Sequence, residues 1–149
     1  MGRAREASGR TLFCDTNVLL RILTGDPPAQ ARRAARAIEA AAAGGFSLIV
    51  PDVVLTEVAY VLSSLGMARA AAADLLGRII DLPGIEVADG VLLRDAVALW
   101  AEGRLDFADA HLAALARRFS NSGVLSFNRD FDRIEGVRRS DPRDLDDGG

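Results

Sequence analysis

Short apolar runs alternate along the chain with longer segments in which apolar residues recur at helical spacing. The short runs predict buried strands at 11–14, 46–50, 85–87 and 124–127, with a weaker candidate at 136–139. The longer segments predict helices at 16–23, 29–43, 53–65, 68–82, 91–100 and 106–119. This alternation indicates an α/β fold with a central, mostly parallel sheet of four to five strands, and such sheets bind ligands at the carboxyl ends of their strands.

Length and apolar content fit one globular domain. The chain has 149 residues, half of them hydrophobic. We expect a single domain at 11–140, a flexible N-terminal extension at 1–10 and a flexible acidic tail at 141–149. The single cysteine, Cys14, excludes an intrachain disulfide, and neither a signal peptide nor an apolar run of membrane-spanning length occurs. A cytoplasmic location without membrane contact is therefore expected.

The numbers of acidic and basic residues further limit the possible activities and modes of nucleic-acid binding. The chain has 21 acidic residues against 18 arginines and no lysine, for a net charge of −3. A nucleic acid would have to be held by local arginines rather than by overall attraction. The candidates for this contact are Arg21, Arg94, Arg104 and Arg129. The absence of lysine excludes Schiff-base chemistry and a lysine general base.

Four carboxylates occupy strand–helix junctions or an apolar helix at positions far apart in the sequence: Asp15, Glu57, Asp106 and Asp109. A fold that gathers acidic side chains from distant segments normally needs a divalent cation to offset their repulsion. The scatter therefore predicts a metal-dependent phosphodiesterase.

The first two acids each have a structural alternative. Asp15 is followed by Thr16 and Asn17, whose hydroxyl and amide groups would extend a site at that turn, but Asp15 alone also suits helix capping. Glu57 belongs to a helix in which its neighbours at helical spacing are apolar: Val53, Val54, Tyr60 and Val61. A charge on such a stripe must reach solvent, an arginine or a cation.

Asp106 and Asp109 begin a helix, where amide groups and the helix dipole favour negative charge. Helix capping alone would explain Asp106 and Asp109. A functional role for them is indicated only because Asp15 and Glu57 occur at comparable positions elsewhere in the chain. Cys14 and the sole histidine, His111, could be considered as a nucleophile and base. We reject that pairing because Cys14 lies in an apolar strand beside an acid, which disfavours the thiolate.

Four segments together resemble the successive motifs of PIN-domain ribonucleases. They are 12–20 (LFCDTNVLL), 55–58 (LTEV), 106–114 (DFADAHLAA) and 124–131 (VLSFNRDF). Their order and separations also resemble that family, over about 11–139. With no appended domain expected, the chain resembles the small VapC toxins of toxin–antitoxin pairs. The resemblance implies a PIN-like α/β/α sandwich.

In this family, acidic residues at these motifs bind one or two Mg²⁺ or Mn²⁺ ions and a water that attacks the RNA phosphodiester. Carried over by position, the resemblance makes Asp15, Glu57 and Asp109 the metal ligands, with Asp106 as an accessory acid. Thr16 or Asn17 would orient water or phosphate, and the resemblance gives Asn128 and Asp130 of the last motif the same positioning role. The resemblance also implies a homodimer and a cognate antitoxin that covers the acidic site.

The chain departs from the family pattern at Asn128, where many members have a fourth acid, and Asp130 follows two residues later. An amide oxygen can ligate but adds no negative charge, so a second metal would bind more weakly. One alternative is thus a catalytically impaired PIN-like domain that binds RNA or protein. A dehalogenase-like phosphatase with Asp15 as nucleophile is a second alternative, opposed by Asn17 and the absence of lysine.

Overall fold

The computed structural model describes residues 9–146, and these form two compact units that divide after Gly90. Each unit is an α/β arrangement in which every strand pairing is parallel. The predicted α/β class with mostly parallel strands is confirmed. The five strands pair as a group of three in the first unit and a group of two in the second.

The first unit builds its sheet by helical crossovers. Its elements are β1 (Thr11–Phe13), α1 (Thr16–Thr24), α2 (Pro28–Ala42), β2 (Ser47–Ile49), α3 (Asp52–Ser64), α4 (Arg69–Asp81) and β3 (Ile85–Glu86). The strand order is β1–β2–β3, with Thr11 opposite Ser47 and Leu48 opposite Ile85. Two helices connect each strand to the next, because parallel neighbours cannot be joined by a tight turn. This connectivity places the start of α1 directly after β1.

The core of the first unit lies between the sheet and the helices that cross over it. Its fully buried side chains include one directly after β2 and several on the helices: Val50, Leu19, Leu55, Val58, Leu62 and Leu76. α2 contacts β2 and β3, α4 contacts β3, and α1 contacts both α2 and α3. The packing of α1 against α3 positions the two candidate site residues that these helices carry.

The second unit contains α5 (Gly90–Ala101), which starts at the last residue of the first unit, and α6 (Phe107–Arg118). It continues with β4 (Val124–Leu125), a 3-10 helix (Arg129–Arg133), β5 (Arg139–Ser140) and α7 (Arg143–Asp146). β4 and β5 pair closely, and a Cβ atom on Gly123 would lie 2.5 Å from the carbonyl oxygen of Arg138. Only glycine is therefore accommodated just before β4.

Helix ends agree with the sequence prediction to within one residue, because glycine, proline and apolar spacing mark them clearly. The strands are shorter than predicted, and the last one is shifted to Arg139–Ser140. Gly136 has a φ of 79°, which takes it out of extended backbone. The 3-10 helix at Arg129–Arg133 was not predicted.

Within the predicted flexible tail at 141–149, the structure places the short helix α7. The Asp141 carboxylate accepts a hydrogen bond from the Arg143 backbone N–H at 2.9 Å and pairs with the Arg143 guanidinium. These contacts stabilise the turn that starts α7. Residues 147–149, and 1–8 of the predicted N-terminal extension, lie outside the described residues. Over residues 9–146, no helix has the length and apolar character needed to cross a membrane.

An edge-to-face aromatic contact fixes the start of α6. Trp100, 1 % exposed, meets Phe107, 3 % exposed, with ring centroids 5.8 Å apart and planes at 89°. Such pairs stabilise a core beyond the area they bury. Because Phe107 is the first residue of α6, this contact orients the helix that bears two of the candidate acids.

We predict that Trp100→Ala lowers the free energy of unfolding by about 3–5 kcal/mol, since it opens a cavity against Phe107. Chemical denaturation followed by far-ultraviolet circular dichroism measures this change without relying on the lost fluorophore. Phe119→Ala is the matched control, because Phe119 is 59 % exposed and its loss should cost within about 0.5 kcal/mol. Equal unfolding midpoints for the two variants would contradict the assignment of Trp100 to the core.

Candidate functional site

Asp15 lies at the N-cap position of α1, immediately after β1, and is exposed. Its backbone is extended, with φ −78° and ψ 151°, as expected of an N-cap residue. Among the described residues, however, its carboxylate accepts no capping hydrogen bond from α1. The position matches the capping alternative, but the carboxylate remains available for another ligand.

Thr16 and Glu57 form the central contact of the first unit. The Thr16 hydroxyl donates a hydrogen bond to Glu57 Oε2 at 2.8 Å, and Thr16 is only 4 % exposed. This bond joins the start of α1 to the middle of α3 and holds the Glu57 carboxylate beside the turn that bears Asp15. The Thr16 hydroxyl proton is thereby committed, so toward a phosphate or water this hydroxyl acts as an acceptor. The exposed Asn17 follows in the first turn of α1.

Glu57 avoids the cost of a buried charge because its face of α3 is open. Val53 and Tyr60, its neighbours at helical spacing, are 72 % and 73 % exposed. The sequence predicted that Glu57 must reach solvent, an arginine or a cation, and it reaches solvent and a hydroxyl. What the sequence did not predict is that large apolar side chains on both sides of Glu57 are exposed as well.

In the second unit, Asp106 caps α6. Its Oδ1 accepts a hydrogen bond from the backbone N–H of Asp109 at 2.8 Å. The capping role considered for Asp106 is thus confirmed, and it fixes the separation of the two carboxylates across the first turn. One Asp106 oxygen is used in the cap, and a carboxylate has a second oxygen for another partner.

Asp109 is half-buried and lies among other acids. Burial raises the pKa of its carboxyl group, the Asp106 and Asp130 charges raise it further, and a hydrogen bond from Asn128 partly offsets them. The donor in that bond is Asn128 Nδ2, 3.4 Å from Asp109 Oδ2. The ionised form of Asp109 is thus disfavoured by its surroundings, and a nearby positive charge would stabilise it.

Asn128 connects Asp109 to the 3-10 helix. Its Oδ1 accepts a hydrogen bond from the Asp130 backbone N–H at 3.0 Å, and its own backbone N–H donates to Ser126 Oγ at 2.9 Å. The amide oxygen, considered from the sequence as a ligand, instead caps the 3-10 helix, and the NH₂ group faces Asp109. The sequence did not point to Ser126, although a serine two residues before a polar turn is a recognisable capping signal.

The structure therefore collects the predicted site residues as two groups. Thr16 bonds Glu57 beside Asp15 in the first unit, and Asp106, Asp109, Asn128 and Asp130 lie together in the second. All donors are oxygens of the hard type that Mg²⁺ and Mn²⁺ prefer, so the residues fit such an ion in kind. Within residues 9–146, no group of three or more His, Cys, Asp or Glu side chains is spaced to hold a metal ion.

Cys14 lies outside this chemistry. It is 4 % exposed, and burial together with the Asp15 charge raises the pKa of its thiol to about 11. A thiol with that pKa is un-ionised near neutrality, so Cys14 cannot act as a nucleophile there. This supports the rejection of a Cys14–His111 pair.

The candidate carboxylates thus follow β1 and lie on α3 in the first unit and start α6 in the second, and all strand pairings are parallel. The family model for the PIN domain matches residues 12–137, and the chain therefore belongs to the PIN-domain family. The family resemblance seen in the four motifs is confirmed. PIN domains are generally nucleases and typically use divalent metal ions. Neither the curated proteins nor the solved structures gave a match to the chain.

We predict that the Cys14 thiol of the folded protein resists alkylation at pH 8, because it is buried and its pKa is raised to about 11. Iodoacetamide labelling followed by intact mass measures the rate, and protein unfolded in guanidinium chloride is the control. A folded-state rate equal to the unfolded-state rate would show that Cys14 is accessible.

Between the unfolded and folded pKa values of Cys14, ionisation of the thiol favours the unfolded chain, so the free energy of unfolding should fall as the pH rises above about 9.

Proposed function

We propose that this protein is a Mg²⁺- or Mn²⁺-dependent endoribonuclease and the toxin of a VapC-like toxin–antitoxin pair. The observation that carries the proposal is that the PIN-domain match includes all four candidate carboxylates and the Thr16–Glu57 hydrogen bond. Asp15, Glu57 and Asp109 serve as metal ligands and Asp106 as an accessory acid. A cytoplasmic location belongs to the same proposal, in agreement with the single free thiol.

The residues around the candidate ligands each have a defined role in this proposal. Thr16 keeps the Glu57 carboxylate in one orientation, which lowers the entropy cost of using it as a ligand. Asp106 holds the first turn of α6, and Asn128 orients Asp109. A divalent ion held by these carboxylates would lower the pKa of a bound water and offset charge on the phosphoryl oxygens.

RNA contact is assigned to exposed arginines next to the acids. Arg104 precedes Asp106 by two residues, and Arg129 follows Asn128 directly; both are exposed. The Nε of Arg21 donates to Gln30 at 2.7 Å, so Arg21 has a local structural role. We therefore propose Arg104 and Arg129 as phosphate contacts, since a guanidinium binds phosphate oxygens in a two-pronged geometry.

The decisive experiment is cleavage of cellular RNA by the purified protein with Mg²⁺, with Mn²⁺ and with EDTA. We predict metal-dependent cuts that fall about 100-fold or more in Asp15→Asn and Glu57→Gln, because each change removes a charged ligand. Gel analysis of a labelled RNA measures the rate. Glu39→Gln serves as the matched control, since Glu39 is an exposed helical glutamate of the first unit.

The alternative function is an impaired PIN-like domain that binds RNA or a protein without cutting it. The orientation of Asn128 favours this alternative, because its NH₂ group occupies the side of Asp109 where a fourth acid would act. Asn128→Asp separates the two functions. Activity gained only in Asn128→Asp would establish the impaired domain, and absence of cleavage by folded wild type and Asn128→Asp alike would overturn the nuclease proposal.

A homodimer is part of the proposal, and we assign its contact surface to the exposed stripe of α3. Val53 and Tyr60 lie on one face of this helix, because seven residues complete almost two turns. The Glu57 carboxylate between them is turned toward Thr16. Exposed aliphatic and tyrosine side chains of this kind are typical of the apolar centre of an interface. The cognate antitoxin would cover the acidic site.

We predict that wild type has twice the 15.8 kDa mass of the single chain and that Tyr60→Arg shifts it to the monomer. Size-exclusion chromatography with light scattering measures the mass. Leu112→Arg, an exposed apolar site on α6, is the control and should stay dimeric. A dimer that survives Tyr60→Arg would remove α3 from the interface, and a monomeric wild type would remove the homodimer from the proposal.

A further inference from the structure

Arg139, on β5, has side-chain contacts that lead back to the candidate acids of the second unit. Its guanidinium forms a two-pronged pair with Asp132, with Nε 2.9 Å from Oδ1 and Nη2 3.2 Å from Oδ2. Its Nη1 donates to the Ser126 carbonyl oxygen at 3.0 Å. The Arg139 side chain is 12 % exposed and the Asp132 side chain 49 %, so the contact with Ser126 is the better shielded of the two. Arg139 therefore ties the 3-10 helix and the end of β4 to β5.

Ser126, which Arg139 anchors, also orients Asn128. The Ser126 carbonyl oxygen accepts a hydrogen bond from Arg139 Nη1, and its hydroxyl oxygen accepts one from the Asn128 backbone N–H. Asn128 in turn donates through Nδ2 to Asp109 Oδ2. An unbroken series of hydrogen bonds thus runs from β5 through Ser126 and Asn128 to Asp109.

Geometry explains why arginine suits this position. Asp132 belongs to the 3-10 helix that Asn128 caps, so Arg139 holds the Ser126–Asn128 turn from both sides. A planar guanidinium satisfies a carboxylate with one edge while another N–H reaches a carbonyl. A lysine ammonium can pair with Asp132 but lacks the rigid fork needed to hold both partners together.

The neighbouring ion pair between Arg143 and Asp141 is more exposed on its arginine side. Arg143 pairs with Asp141 at 3.0 Å, but its side chain is 78 % exposed. Asp141 lies 3.8 Å from the Arg139 guanidinium, a longer contact than the pair with Asp132. Exposed pairs of this kind contribute little to stability. The anchoring contacts are therefore those of Arg139 with Asp132 and Ser126.

We infer that Arg139 is a positioning residue that, through Ser126 and Asn128, sets the orientation of the Asp109 carboxylate. This inference rests on the proposed nuclease function for its kinetic consequence, but the positioning itself is measurable without activity. Arg139 does not contact RNA in this inference. Its loss should therefore lower kcat and leave KM unchanged, whereas loss of a substrate contact raises KM.

The test compares Arg139→Lys with wild type by kinetics and by the side-chain amide signal of Asn128 in two-dimensional nitrogen–proton NMR. We expect kcat to fall about tenfold with KM unchanged, in the range known for residues that orient a ligand. The Asn128 amide signal, assigned through its absence in Asn128→Ala, should shift. Asp132→Asn, a milder change at the same pair, should give a smaller effect in the same direction.

Arg143→Gln is the matched control, since it removes the exposed pair and leaves the Arg139–Ser126 contact intact. It should retain the wild-type kcat and Asn128 signal. Folded Arg139→Lys with an unshifted Asn128 signal would overturn the inference, and so would a rise in KM alone. A wild-type protein without nuclease activity would defeat the proposed function, while the NMR comparison would still decide whether Arg139 positions Asn128.

Discussion

Mutual repulsion of carboxylates is the constraint that shapes the candidate site. Acids placed close together at half-buried positions resist ionisation unless hydrogen bonds or positive charge offset their repulsion. The protein meets this constraint locally around Asp109, where the Asn128 amide donates a hydrogen bond while Asp106 and Asp130 oppose the charge. It meets it differently at Glu57, where exposure and the Thr16 hydroxyl replace a cationic partner.

The fold supplies these hydrogen bonds by placing the acids at or near points where the backbone has unsatisfied donors. Helix starts leave N–H groups free, and Asp106 and Asn128 each satisfy one of them. The same bonds that finish a helix thus fix the direction of a functional side chain. Asp15 is the exception, because it occupies a cap position without using its carboxylate there. A carboxylate that makes no capping hydrogen bond distinguishes a candidate ligand such as Asp15 from an ordinary capping residue.

The elements were largely predictable because their signals are local. Gly25, with a φ of 69°, ends α1, and Pro28 is the first residue of α2, so both boundaries could be inferred from the sequence. The 3-10 helix at Arg129–Arg133 could not, since it depends on the Asn128 cap and on Arg139 from a later strand. The candidate acids could likewise be named from local sequence, whereas their hydrogen-bond partners could not. Thr16 and Glu57 are 41 residues apart, and only the packing of α1 on α3 reveals their bond.

Asn128 shows how a single neutral side chain alters the electrostatics around Asp109. A fourth acid would add to the charge near Asp109 and so increase both the repulsion and the attraction for a cation. Asn128 instead relieves the repulsion with an N–H donor, which stabilises the acidic group without a bound ion. Such an arrangement needs no cation for its integrity and would offer a cation fewer charges. Low repulsion among these acids and a high negative charge available to a cation are therefore opposed at this one position.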